Sequence, residues 1–467
     1  MTLSRTDLTR PRGEVRTAVD STVRKEGTAR LTLDTFATTV ASNVALGTVS
    51  IVLARALGPS GKGAYDLVLA TATLLATLFG LSLPTGVTYI VARGRATARH
   101  LVRRIAGVSV LQAALATGFL IAVRSSPVAP AFVPPGPNDS VGWAIFFLVA
   151  LTALQEVLRA VLIGRREIVR ANRLDLLGRT AQLGLFIVVW LAAPFVGREL
   201  RAIHFVWLAV GTAAITCAFY FRAAYEDGGS EPERGSSLGE LWRYALTSHV
   251  GNVAQFLNYR VAVFLIGFFL GAAAVGLYTI AMTLAQLHLL LAQASATVLL
   301  PMVASGMGEG DDGAVHAAAV TRAMVAITGV MALATAAVAG PLLPWIFGAE
   351  FEGSLLPLFL LLPGVVAFVP FIVLASYFGG RGMPHINLKG SVIGLAAIFG
   401  LSIVLVPRFG IAGAAIAASG ACLVGSAVLV VAFSRSTRVP TWHVVVPRWG
   451  DLITVVRALR DRVGAGR

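Results

Sequence analysis

Apolar residues occur along most of the chain in long runs, which short polar or charged stretches separate. A bilayer core about 30 Å thick needs about 20 apolar residues per helix, so this pattern predicts twelve membrane-spanning helices. Their approximate bounds are Asp34–Leu57, Ala64–Val91, Leu101–Val123, Val141–Ile163, Leu176–Val196, Ala202–Phe221, Tyr244–Leu270, Val275–Val303, Ala317–Leu343, Leu355–Phe378, Leu388–Val406 and Ile411–Phe433. Lipid cannot satisfy an open sheet edge, so an all-α polytopic membrane protein is predicted.

Composition agrees with a membrane protein and excludes a soluble enzyme. Of the 467 residues, 56% are hydrophobic and 13% charged, where a soluble domain carries roughly 25% charged residues. The mean hydropathy is +0.79. Cys217 and Cys422 both lie within apolar runs, which argues against a disulfide framework.

The positive charge is distributed unevenly between the two sides of the predicted membrane. Thirty-one of the 38 Lys and Arg residues lie in the tails and loops on the side of the N-terminus. The positive-inside rule therefore predicts that both termini are cytoplasmic. The net charge of +15 then indicates contact with anionic membrane lipids, and no nucleic-acid partner is expected because no aromatic and basic platform accompanies it.

The chain contains an internal repeat. The segment Ala54–Leu78 matches Gly267–Leu291 at an offset of 213 residues without gaps. Leu57, Gly58, Gly63, Tyr65 and Leu74 recur as Leu270, Gly271, Gly276, Tyr278 and Leu287. Six spans separate the copies, so the halves are predicted to be parallel and related by an axis along the membrane normal. Tight turns with positive φ are favoured over ligand contact as the role of the glycines.

Five segments follow from the spans and the polar stretches between them. They are a basic cytoplasmic tail that is expected to be disordered (1–30), a six-helix lobe (31–223), a polar cytoplasmic linker (224–242), a second six-helix lobe (243–433) and a basic cytoplasmic tail (434–467). The first tail has no apolar core and so does not resemble a cleavable signal peptide. In the second tail, Leu452–Val463 is predicted to lie on the inner leaflet.

Four blocks in order along the chain resemble one known family. They are ARALGPSGKGAY (Ala54–Tyr65), YRVAVFLIGFFLGAAAVGLYTIA (Tyr259–Ala281), PWIFGAEF (Pro344–Phe351) and VPRFGIAGAAIA (Val406–Ala417). The chain resembles the polysaccharide-type oligosaccharide flippases of the multidrug/oligosaccharidyl-lipid/polysaccharide (MOP) exporter superfamily. The resemblance implies two six-helix lobes in a V shape, a central cavity that opens alternately to either side, and export of a polyprenyl-diphosphate-linked sugar.

The seventh helix departs from the family pattern, since Ala262 lies where many relatives have an acidic residue. A cation-coupling role for that carboxylate therefore cannot be transferred. GPSGKG (58–63) lacks the spacing and the Ser or Thr of a P-loop, and the histidines show no metal-ligand spacing. We therefore expect no enzyme activity, no cofactor and no metal.

Arg260 is the strongest candidate for substrate binding. It lies ten residues from the outer end of its predicted helix, which is about 15 Å deep and close to the midplane. Exposure to lipid there would cost at least about 2.5–3.5 kcal/mol. One interpretation is a cationic site for the diphosphate of the lipid carrier, because guanidinium groups match phosphate oxygens. The alternative is an interlobe hydrogen bond that holds one state closed.

Other polar residues in the spans are candidates for lining the cavity. On the seventh helix Asn252 and Tyr259 lie on the broad face of Arg260, and Gln255 lies on its flank. Asn43 lies on a polar stripe of the first helix, and Gln286 and Gln293 lie on one of the eighth. Contacts with sugar hydroxyls and hydrogen bonds between helices explain these stripes equally well. For Arg55, a gating role competes with pairing to Asp66 or contact with lipid headgroups.

Glu156 is a weak candidate for coupling transport to an ion. It is the carboxylate that lies well inside a predicted span, and Arg159 follows it at i+3. An ion pair between these two residues is the simpler interpretation. The alternative is that Glu156 binds a proton or Na⁺.

The sequence and the resemblance together favour a flippase of the bacterial cytoplasmic membrane. Its cargo would be a polyprenyl-diphosphate-linked oligosaccharide for cell-surface polysaccharide, with the polymerase and glycosyltransferases of that pathway as further partners. The alternatives are a cation-coupled drug or small-molecule exporter of the same superfamily and a non-transporting membrane scaffold. An exporter of drugs predicts more carboxylates in the cavity than the sequence supplies.

Overall fold

The computed structural model describes residues 12–93, 98–134, 140–197, 199–226, 238–304 and 311–448, and within these residues the chain is helical without strands. The helices are α1 Arg12–Phe79, α2 Leu83–Ala92, α3 Ala98–Arg124, α4 Ser140–Gly164, α5 Ile168–Val196, α6 Ala202–Glu226, α7 Leu238–Leu270, α8 Ala272–Leu287, α9 Leu290–Ala304, α10 Asp311–Phe347, α11 Leu355–Gly380, α12 Pro384–Thr437 and α13 Thr441–Val445. Short 3₁₀ turns lie at Ala129–Ala131 and Ala349–Ser354. The prediction of an all-helical membrane protein is confirmed.

Within the described residues, nine helices are long and apolar enough to cross a membrane, or ten if α8 and α9, which meet at an angle of 47°, form one span. Two of the nine are interrupted at a glycine with positive φ, α1 at Gly58 and α12 at Gly410. The count of membrane spans reaches twelve only if α8 and α9 form one span and α1 and α12 are each divided into two spans at these glycines. The arrangement as two six-helix lobes stays a prediction.

Two pairs of glycines one repeat apart have positive φ. Gly58 has φ 62° and ψ −177°, and Gly271, 213 residues later, has φ 82° and ψ −177°. Gly197 and Gly410, separated by the same offset, have φ 64° and φ 62° but differ in ψ, which is 25° and −141°. A side chain is strained at such φ values, so glycine is required where the chain turns between helices. The turn interpretation is confirmed for Gly58 and Gly271, and it was wrong for Gly63 and Gly276, which lie within α1 and α8 without positive φ.

The polar segments differ from expectation at one end of the chain. Residues 12–30 belong to α1 rather than to a disordered tail. No proline interrupts residues 12–58, so the helix that crosses the membrane continues into the basic segment. Residues 227–237 of the predicted linker, the acidic loop at 305–310 and the tail from 449, with its segment 452–463, lie outside the described residues.

The helices bury apolar side chains in a core that joins the two halves of the chain. The largest cluster of buried residues lies on α7–α12 and also includes Ala54, Leu67 and Ala70 of α1. Two further clusters lie within the N-terminal half. The interface between the halves is therefore formed by α1 and α2 on one side and α7 and α8 on the other.

Candidate functional site

The two halves approach most closely where α1 crosses α8. A Cβ atom on Gly63 would lie 1.7 Å from the carbonyl oxygen of Ala272, and one on Gly276 would lie 2.1 Å from that of Pro59. Gly63 and Gly276 are equivalent positions of the repeat. Two helix backbones can come this close only where both residues lack a side chain.

A buried charge cluster of Lys62, Asp66 and Thr279, here named the central cluster, lies one turn further along α1. The Lys62 ammonium and the Thr279 hydroxyl both donate to Oδ2 of Asp66, and Lys62 is buried. Asp66 and Thr279 are again 213 residues apart. The carboxylate therefore compensates a buried cation and also joins the two halves across the interface between α1 and α8.

Arg260 on α7 faces this cluster. Its side chain is half-buried and makes no hydrogen bond to any residue within the described ranges. Asp66 is the carboxylate close enough to act on it electrostatically. Asp66 lies eight residues after the turn at Gly58, about 12 Å along its helix, and Arg260 lies about 15 Å from the end of α7, so the two reach a similar depth. The guanidinium thus keeps its donors available for a ligand that carries negative charge.

Asn252 lies two turns before Arg260 on α7 and is bound across the interface. Its Nδ2 donates to Oγ of Ser82 at 2.8 Å, and Nδ1 of His249 lies 3.3 Å from the same oxygen. Ser82 adopts a left-handed φ of 52° at the break between α1 and α2. Asn252 therefore forms a hydrogen bond between α7 and the break that separates α1 from α2.

Gln255, Tyr259 and Gln286 come together in a cavity within the C-terminal half, here named the C-terminal cavity. Its volume is about 90 Å³, and it lies between α7, α8, α11 and α12. Ser391 of α12 donates to Oε1 of Gln255 and accepts a bond at its carbonyl from Nδ2 of Asn258. Arg260 is not among the lining residues, so these amides and Arg260 do not share one cavity.

The predicted stripe on the eighth helix is interrupted in the structure. The chain bends by 47° between α8 and α9, so Gln286 lies on α8 whereas Gln293 lies exposed on α9. His288 lies at the bend, where its Nε2 is 2.9 Å from Oγ1 of Thr335 on α10. Projection onto one straight helix was therefore wrong for this segment.

Arg55 and Asn43 on α1 do not bind the residues of the central cluster and form hydrogen bonds elsewhere. Nε of Arg55 donates to the carbonyl of Ile346 at 2.9 Å, and its Nη2 donates to that of Trp345. Of the alternatives for Arg55, pairing with Asp66 was wrong, because Arg55 donates to these carbonyls and Lys62 binds that carboxylate. Nδ2 of Asn43 donates to the carbonyl of Thr39 on its own helix.

Glu156 lies in a separate pocket between α2 and α4, which Tyr89, Arg93 and Arg159 also line. The expected ion pair with Arg159 was wrong. Nε of Arg159 instead donates to Asp175 of α5 at 2.8 Å, and the Tyr220 hydroxyl donates to the same carboxylate at 2.6 Å. Glu156 is exposed to this pocket and makes no hydrogen bond to a described residue.

Sequence reasoning missed Asp66 and Lys62 as members of the central cluster, and it missed Ser82. A signal for the first two was present, since a lysine and an aspartate at i and i+4 occur where a predicted span begins. Nothing in the sequence marked Ser82. Within the described residues, no group of three or more His, Cys, Asp or Glu residues could hold a metal ion.

A family model described as "Polysaccharide biosynthesis protein" matches residues 37–356. A comparison with curated protein sequences returns no match.

Solved structures with a similar fold include membrane transporters. A lipid II flippase MurJ in an inward closed conformation superposes with a TM-score of 0.68 at 12% identity, covering 87% of this chain and 88% of that one. An inward-facing multidrug resistance MATE family transporter of the MOP superfamily gives 0.63 at 14% identity, with 85% and 94% covered. A mutant of the Vibrio cholerae MATE transporter VcmN gives 0.56 at 16% identity, with 89% and 99% covered. The MOP fold predicted from the sequence is confirmed.

Proposed function

The chain belongs to the polysaccharide biosynthesis protein family, and from that premise we propose that it is a flippase for a polyprenyl-diphosphate-linked oligosaccharide. It is a multi-pass membrane protein of the MOP superfamily fold. In this proposal it lies in a bacterial cytoplasmic membrane with both termini cytoplasmic, and it supplies cell-surface polysaccharide synthesis together with a polymerase and glycosyltransferases.

The observation that carries the proposal is Arg260. A half-buried guanidinium near the midplane, without a hydrogen bond to a described residue, suits a diphosphate. Asp66 compensates part of its charge in the absence of cargo, and a diphosphate brings more negative charge and more acceptors than one carboxylate. The headgroup would cross beside Arg260 while the polyprenyl tail stays in lipid, which avoids the transfer of bare phosphates through hydrocarbon.

The contacts between the two halves support alternating access as the mechanism. On the predicted outer side, the Gly63–Gly276 approach and the bonds from Arg55 to Trp345 and Ile346 hold α1 against α8 and α10. Separation of these contacts would open Arg260 to that side. The change requires that cargo binds one arrangement of the halves more tightly than the other.

A cation-coupled exporter of drugs is the second candidate, and the similar MATE fold is the observation that favours it. Such an exporter predicts several carboxylates around the cargo. Among the described residues, no carboxylate lines the C-terminal cavity, and Asp66 of the central cluster is already bonded to Lys62 and Thr279. A membrane scaffold that transports nothing, the third alternative, would not require the available guanidinium of Arg260 near the midplane.

The direct test is a leaflet assay in vesicles with defined polyprenyl-diphosphate-linked sugars. We expect translocation by the wild type and a loss of at least about tenfold in Arg260→Ala, since hydrogen bonds to charged groups contribute about 1.5–3 kcal/mol. Arg408→Ala, which removes an exposed cation beside the interruption of α12 at Gly410, should translocate normally. Equal rates in the wild type and Arg260→Ala would exclude Arg260 from the mechanism, and a wild type inactive with every sugar would favour the scaffold.

Glu156 supplies a candidate for ion coupling within the same proposal. Its carboxylate is available in the pocket of α2 and α4 because Arg159 is engaged by Asp175. We expect that Glu156→Gln weakens the dependence of transport on a proton or Na⁺ gradient while Glu167→Gln, a control in a partly exposed pair, does not. An unchanged gradient dependence in Glu156→Gln would contradict this role.

A further inference from the structure

A second cavity lies on a different face of α11 from the C-terminal cavity. It is an apolar groove, here named the α10–α12 groove, with a volume of about 710 Å³. Gly329 and Ala336 of α10, Val366 of α11 and Leu423 of α12 line it, and Ser426 is the polar residue among its lining side chains. Leu333 and Leu423 in this lining are 74% and 61% exposed. In a membrane-spanning chain, a groove this open and apolar faces the hydrocarbon of the bilayer.

One end of the groove is closed by α13, which carries interfacial and cationic residues. Val445 of α13 lines the groove, and the carbonyl of His443 accepts a hydrogen bond from Arg322, one turn before the groove residue Val325. Trp442 is exposed, and the Arg448 guanidinium lies 5.7 Å from the centre of its ring. Tryptophan beside basic residues is typical of the membrane–water interface.

Three arginines lie near this end of the groove. Glu350 and Glu352 lie in the turn after α10, at the opposite end of that helix from Arg322, whereas Asp311 and Asp312 begin α10 about three turns before Arg322. Arg438, in the connection between α12 and α13, and Arg448 are exposed. Desolvation lowers the pKa of His443, and the neighbouring Arg448 and Arg322 lower it further. Arg322 and Arg448 thus lie close to His443 of α13, and Arg438 lies in the connection that leads into this helix.

We propose that the α10–α12 groove binds an anionic phospholipid of the cytoplasmic leaflet, with an acyl chain along the apolar lining and the phosphate at Arg438 and Arg448. The apolar lining matches the chain, and the basic end matches the headgroup. The polyprenyl tail of the cargo suits the site less well, because the groove lies on a different face of α11 from the cavity that α7 lines. This site is independent of the identity of the cargo.

The lining of the groove is tested by the number of lipids that stay bound. The full chain is purified in detergent and mixed with equal amounts of phosphatidylglycerol and phosphatidylcholine. Native mass spectrometry then measures how many molecules of each lipid stay bound. We expect the wild type to keep phosphatidylglycerol and Gly329→Leu to lose most of it, because a leucine enters the groove where a Cβ on Gly329 meets no atom within 4 Å. Gly340→Leu, also on α10 with open space but outside the groove, should bind as the wild type does. Unchanged binding in Gly329→Leu at a normal thermal midpoint would overturn the proposal.

The basic end is tested by the preference between the two lipids. We expect the double variant Arg438→Gln and Arg448→Gln to lose at least about tenfold of the preference for phosphatidylglycerol, since each cation near an anionic lipid contributes about 1 kcal/mol. Arg408→Gln should keep the preference. Equal retention of both lipids by the wild type would overturn the proposal, and so would displacement of phosphatidylglycerol by polyprenyl phosphate, which would assign the groove to the tail of the cargo.

Discussion

Asp66 interacts with three neighbouring side chains, so it affects both the stability of the protein and the proposed site. Its carboxylate accepts hydrogen bonds from Lys62 and Thr279 and attracts the positive charge of Arg260. Lys62 is buried, so its charge depends on this partner. A buried cation without its carboxylate is strongly unfavourable.

We expect Asp66→Asn to destabilise the protein by about 3–5 kcal/mol, because the amide keeps the shape but leaves the Lys62 charge uncompensated. The measurement is thermal unfolding of the purified protein in detergent. Thr279→Val removes one hydrogen bond to the same carboxylate and should cost only about 1 kcal/mol. The double variant Lys62→Met and Asp66→Leu should be more stable than Asp66→Asn, and a fully stable Asp66→Asn would show that Lys62 does not depend on Asp66.

At the scale of elements, glycines determine how closely the helices pack. Gly63 and Gly276 allow the backbones of α1 and α8 to touch, whereas Gly58, Gly271 and Gly410 let the chain turn with positive φ. The repeat found in the sequence contains glycines of both kinds, and only the structure separates those that turn the chain from those that bring two helices together.

Gly63→Ala tests the contact between α1 and α8. An added Cβ would overlap the Ala272 carbonyl, so we expect a loss of about 1–3 kcal/mol from overpacking and a greater distance between the outer ends of the two helices. Thermal unfolding and spin-label distances measure the two effects. Gly47→Ala on the same helix, where a Cβ meets nothing within 4 Å, is the control. A Gly63→Ala protein with unchanged spacing would contradict the close approach.

At the scale of the whole molecule, the distribution of charge predicts the orientation in the membrane. Ser125, after α3, should face outward, and Ser436, near the end of α12, should face the cytoplasm. We expect a membrane-impermeant maleimide to label Ser125→Cys in intact cells and Ser436→Cys only after permeabilisation. Cys217 is buried and Cys422 is half-buried within α12, so the unmodified protein serves as the background. The opposite labelling pattern would invert the orientation.

The sequence by itself determined that the chain is an all-helical membrane protein and that Gly58 and Gly271 lie in turns between helices. Hydropathy and turn conformation are local properties, so they can be read from short segments. Arg260 was identified in the same way, since a cation within an apolar run is costly wherever the helix packs.

Only the tertiary structure decided which polar groups meet. Asp66 pairs with Lys62 rather than Arg55, Arg159 pairs with Asp175 rather than Glu156, and Gln286 lies in a cavity apart from Arg260. These outcomes depend on how helices far apart in sequence cross and where they bend, as at His288. A helical wheel assigns a residue to a face of its own helix, but packing between helices determines what that face contacts.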